Sequence, residues 1–155
     1  MKNCILAVSI LVYGLMVSAC GSGAVDSLLS TKINSFKSSI GGAVQTSPVT
    51  IPAGTDIKFD WNVNTTASTY NANLFVSNTT SPGNTPLLVK ASTSGSDNVT
   101  CKTDKTVPGK TFMTCTGLTN AYDVTALVGT TAYIVLQVNG LNTATDTASI
   151  QVLIQ

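Results

Sequence analysis

The sequence predicts an all-β fold, a sandwich of seven to eight short antiparallel strands. Three observations lead there. Only 10% of the 155 residues are charged, and they are lysine and aspartate alone, without Glu, Arg or His. Thr, Ser, Asn and Gly take the polar positions, which suits strands and turns better than helices. From Thr46 onward apolar and polar residues alternate with period two, and turn signals recur about every ten residues.

Before that domain, Met1-Lys2-Asn3 carries one positive charge, and Ile5 to Val17 is an apolar run broken only by Ser9 and Gly14. The run is too short to span a bilayer, which takes about 20 residues. It fits the apolar region of a secretory signal. Val17-Ser18-Ala19-Cys20 then resembles the lipobox of bacterial lipoproteins, an aliphatic residue and two small ones before a cysteine. The resemblance implies that residues 1–19 are a lipoprotein signal peptide cut before Cys20. It also implies that Cys20 carries the lipid that holds the protein to the membrane. In enterobacterial lipoproteins an Asp after the cysteine retains the protein in the inner membrane. Gly21 stands there, which implies the outer membrane of a bacterial cell envelope.

The other cysteines agree with this assignment. Cys4 falls within the signal, and with Cys20 lipidated Cys101 and Cys115 remain as an even pair. In an oxidising compartment that pair is expected to close as a disulfide.

Residues 20–45 read as a lipidated tether. Gly21-Ser22-Gly23 is flexible. Val25, Leu28, Leu29, Ile33, Phe36 and Ile40 recur at steps of three and four, which predicts an amphipathic helix over 24–40, ended by Gly41-Gly42. Its serines weaken helix propensity. Such a segment could be a loosely ordered spacer, pack on the domain, lie on the membrane or pair with another chain.

Residues 46–155 hold the sandwich. A first strand lies near Val49 and Ile51. Ile57, Phe59, Trp61 and Val63 alternate with Asp56, Lys58, Asp60 and Asn62. Tyr70, Ala72, Leu74 and Val76 form the next apolar face, followed by a loop over 79–86 and a short strand at Leu87 to Ala91. Two strands flank the Lys-Thr-Val-Pro-Gly turn with one cysteine on each arm. "TTAYIVLQVNGL" is a strongly apolar strand, and Ala148, Ile150, Val152 and Ile154 share one face of the last.

"FDWNV", "YNANLFVS" and "LVGTTAYIVLQVNGLN" resemble the B, C and F-strand signatures of fibronectin type III and related immunoglobulin-like domains. Trp61 matches the B-strand tryptophan and Tyr70 the C-strand tyrosine. Leu127, Thr131 and Tyr133 match that family's Leu-x-Pro-x-Thr-x-Tyr corner, with Gly129 in place of proline. Gln137 falls where an inward apolar residue is expected. Two registers are therefore open for this strand: Tyr133 and Val135 face inward, or Ile134, Leu136 and Val138 do.

Little in the chain points to catalysis. Without histidine, Ser-His-Asp, Cys-His and His-based zinc arrangements are excluded. Asp56 and Asp60 share a strand face with Lys58 and Asn62, which reads as a solvated surface. No Asp-x-Asp-x-Asp calcium spacing and no glycine-rich phosphate loop occur. A net charge of +1 without arginine argues against nucleic acid as a partner. Trp61, Tyr70 and Tyr133 alternate with core residues, leaving Tyr122 as the best candidate for an exposed aromatic. The expectation is a non-catalytic module, without cofactor or metal, that binds a protein partner for adhesion or envelope assembly. The alternative is a structural subunit assembling through the edge of Ala148 to Gln155 or through the segment Val25 to Ile40.

Overall fold

The computed structural model describes residues 30–117, 121–141 and 143–155. Residues 1–19, read above as a signal peptide, and Cys20 lie outside the described residues. In chain order the strands are β1 (Thr31–Ile40), β2 (Ala43–Val44), β3 (Val49–Ile51), β4 (Asp56–Thr65), β5 (Tyr70–Ser77), β6 (Leu88–Ser92), β7 (Gly95–Asp104), β8 (Phe112–Cys115), β9 (Tyr122–Asp123), β10 (Thr131–Gly140) and β11 (Asp146–Ile154). They form two sheets, ordered β2-β1-β4-β7-β8-β9 and β3-β11-β10-β5-β6. The named pairings are antiparallel except β3 with β11, which is parallel. The fold is an all-β, immunoglobulin-like sandwich.

The period-two faces meet between the sheets. Ile57, Phe59, Trp61 and Val63 of β4 are buried, as are Tyr70, Ala72, Leu74 and Val76 of β5 and Val152 and Ile154 of β11. A large side chain fully buried in this way contributes roughly 1.5–3 kcal/mol. The interior is one cluster spanning both sheets, with Ile33, Phe36 and Ile40 packed against it from β1.

The segment read as a helix over 24–40 is a strand over Thr31–Ile40, its described part, and it belongs to the sandwich. Its register on β4 explains the misleading spacing. Ile33 pairs with Val63 and Ser35 with Asn62, so Asn34 is the extra residue of a β-bulge. Beyond it Phe36, Ser38 and Ile40 oppose the inward-facing Trp61, Phe59 and Ile57. Inward positions thus run in steps of two, then three, then two. That single step of three imitates helical spacing. β4 offers this segment a row of backbone partners from Thr31 to Ile40, which a free helix would forgo.

β10 takes the register with Ala132, Ile134, Leu136 and Val138 inward. The opposite choice would drive the amides of Gln137 and Asn139 into the core without partners, which is costly. Tyr133 consequently points away from the core and is only part-buried. Its match to the tyrosine corner, and its expected burial, do not hold. Trp61 and Tyr70 are each 2% exposed, and the Trp61 indole N–H donates to the Tyr70 hydroxyl at 3.1 Å.

Polar side chains close both flanks of the sandwich. The Ile33 N–H donates to Asp146 Oδ2 at 2.9 Å, joining β1 to β11. On the other flank Lys90 Nζ of β6 donates to Asp97 Oδ1 of β7 at 2.6 Å.

Candidate binding surface

Cys101 and Cys115 are joined by a disulfide across the β7–β8 pair. Thr116 N–H donates to Thr100 O just beyond them. That places the cysteines at a non-hydrogen-bonded register position, where opposed side chains approach most closely. Both are buried, and the bridge is part of the core rather than of a reactive surface.

Asp56 and Asp60 lie on the outer face of β4. Asp60 pairs with Lys58 at 2.6 Å, with both side chains well exposed. This is a solvated ion pair of small energetic consequence. Lys90, Ser92 and Asp97 bring an amine, a hydroxyl and a carboxylate together, but the arrangement suppresses reactivity. Burial raises the Asp97 carboxyl, yet hydrogen bonds from Lys90, Ser92 and the Asn98 N–H, with the Lys90 charge, hold it below its ordinary 3.8. Lys90 Nζ also donates to Asn98 O at 3.0 Å and lies 5.9 Å from the Trp61 ring centroid. Two of its three N–H donors are thus committed to Asp97 and Asn98. At the end of the β7–β8 hairpin, Lys110 donates to Asp123 at 2.7 Å. Together with the Thr125 hydroxyl and N–H it keeps that carboxyl well below the usual aspartate range. Among the described residues no group of three or more His, Cys or acidic side chains could hold a metal, and no helix is long and apolar enough to cross a membrane.

The two outer faces of the sandwich differ sharply in charge. Pairing places Lys32, Lys37, Asp56, Lys58, Asp60, Lys102, Asp104 and Asp123 on the outside of the sheet built around β4. The outside of the sheet built around β10 carries no charged side chain among the described residues. There β5 presents Asn71, Asn73, Phe75 and Ser77, and β10 presents Tyr133, Val135, Gln137 and Asn139. Thr147, Ser149, Gln151 and Leu153 continue the row on β11, and Val89 of β6 is 57% exposed beside Asn73.

Part of this face is already covered by the protein's own chain. Phe75 and Val135 oppose each other on the outside yet are 5% and 0% exposed. The loop after β5 folds back over them: a Cβ placed on Gly83 would lie 3.9 Å from Phe75 Cδ1. Above this covered pair the registers set Asn73 opposite Gln137 and Asn71 opposite Asn139. Asn73 Nδ2 donates to Gln137 Oε1 at 3.4 Å. The amide block opens at its upper end into a cleft lined by Thr69, Tyr70, Asn71, Asn139, Gly140 and Leu141, with Leu141 80% exposed at its rim.

Sequence reasoning passed over these amides because it sought exposed aromatics and acidic pairs. The signal was present in "YNAN" and "LQVN", where the residues between the apolar ones are carboxamides. Tyr122, the aromatic it favoured, is part-buried against the core. No family model matches the chain, and no curated protein or solved structure matches it either.

Proposed function

We propose that the protein is a lipid-anchored module of the bacterial cell envelope, most simply of the outer membrane, that binds a partner without catalysis. The observation that carries the reading is the segregation of charge. One broad face is free of charged side chains among the described residues, while the other is laced with lysine and aspartate. A face meant only for solvent gains from charge, and charged residues are depleted at the centres of contact surfaces. The sequence Val17-Ser18-Ala19-Cys20 supports the anchor. The family resemblance to fibronectin type III is a further proposal, supported by the strand order β1-β4-β7 against β11-β10-β5-β6.

Assembly through strand edges has less support than contact through the face. β11 already lies between β10 and β3 over Val152–Ile154, and Asp146 occupies the Ile33 N–H on β1.

Two measurements test the reading. Radiolabelled palmitate should enter the wild-type protein and be lost in Cys20→Ala; labelling that survives the substitution overturns the anchor. A photo-activatable residue at position 89, on the uncharged face, should give a discrete adduct in intact cells, whereas one at position 102 should not. Adducts from 102 alone, or none from 89, overturn the contact face.

A further inference from the structure

We propose that the amide block and cleft at the upper end of β5 and β10 form a binding site for an uncharged oligosaccharide. This rests on the reading of that face as the contact surface and names the chemistry it recognises. Asn71, Asn73, Gln137 and Asn139 make a two-by-two array of carboxamides fixed by strand register. Neighbouring strands are about 4.8 Å apart and successive outward residues about 6.8 Å, so the array spans roughly one sugar ring.

A carboxamide donates and accepts at once, as a sugar hydroxyl does. A carboxylate or phosphate placed here would meet no cation on the face, and an ammonium no anion, so a charged ligand would lose hydration without compensation. Asn139 Oδ1 is buried and has no hydrogen-bond partner. An acceptor in that state is unusual, and a hydroxyl entering the cleft supplies its missing donor directly or through one water. Leu141, 80% exposed at the rim, gives the cleft an apolar wall for the C–H face of a ring. Two rows further down β10, Tyr133 offers an aromatic surface to a longer chain of sugars.

The test uses the full chain, isotope-labelled and held in a sugar-free zwitterionic detergent. It is titrated with maltohexaose, cellohexaose, mannohexaose and chitohexaose, and with a galacturonate hexamer as the charged control. At least one neutral hexamer should shift the side-chain amide signals of Asn71, Asn73, Gln137 and Asn139 saturably, and the charged hexamer should not. The paired substitution Asn71→Ala and Gln137→Ala should weaken that binding at least tenfold while leaving the backbone spectrum intact, and Lys58→Ala should leave it unchanged. The proposal is overturned if no neutral hexamer moves these signals, if the charged one binds equally, or if the paired variant binds as the wild type. When sugars leave the array untouched but the adduct from position 89 persists, the partner is a protein and the contact face stands. When both fail, the reading of the face fails with them.

Discussion

The indole N–H of Trp61 donates to the hydroxyl of Tyr70 at 3.1 Å, tying β4 in one sheet to β5 in the other through the centre of the core. Both groups are buried, so the bond replaces water that neither can reach. Tyr70→Phe keeps the ring and removes the acceptor, stranding a buried donor. It should cost about 1–2 kcal/mol in urea unfolding, with an unchanged denaturant slope. A cost near zero would show that the indole finds another acceptor.

The disulfide staples β8, a strand of four residues, to β7. The bridged cysteines are separated by 14 positions. Chain-entropy reasoning gives about 3 kcal/mol for a loop of that size. Replacing both cysteines by alanine should lower stability by about that amount and add the loss of two buried sulfur atoms. Thermal unfolding of the double variant, compared with wild type under oxidising conditions, measures it.

The Asp97 carboxyl links β7 to Lys90 and Ser92 of β6 and is held below its ordinary 3.8 in the folded state. The folded protein therefore binds this proton more weakly than the unfolded chain does. The stabilisation is fully present above about pH 4 and is lost as pH falls through the lowered folded value. Asp97→Asn should reduce stability at neutral pH and flatten the acid limb of the stability curve below about pH 4. An acid limb as steep as that of wild type would assign the acid sensitivity to other carboxylates.

The strands beyond Val49 could be read from the sequence because their faces alternate without interruption. Ile57 to Val63 and Tyr70 to Val76 each present every second side chain to the core, and β4 and β5 do so in the structure. β1 could not be read this way, since one bulged residue, Asn34, turns a period of two into an apparent step of three. Choosing the β10 register required weighing Tyr133 against Gln137 and Asn139, and the cost of burying two amides outweighs that of leaving one tyrosine half outside. The amide array was illegible for a different reason. Its four members are neighbours only through the pairing of β5 with β10, whose sequences lie some sixty residues apart, as the separation of 64 between Asn73 and Gln137 shows.

Asp146 bears on both stability and association. Its carboxylate accepts the Ile33 N–H at 2.9 Å, beside the bulge on a strand whose outer edge β2 pairs only at Ser39 and Ile40. Lys32 approaches the same carboxylate at 3.9 Å but is 68% exposed, so that ion pair contributes little. Asp146→Ala should therefore cost about 1.5–3 kcal/mol, the range for a hydrogen bond to a charged group, while Lys32→Ala costs almost nothing. The substitution also frees a backbone donor on an edge strand, which invites pairing with another chain. Sedimentation velocity should show concentration-dependent association in Asp146→Ala and not in Lys32→Ala. Equal effects of the two substitutions would mean that the ion pair, rather than the capped N–H, secures this flank of the sandwich.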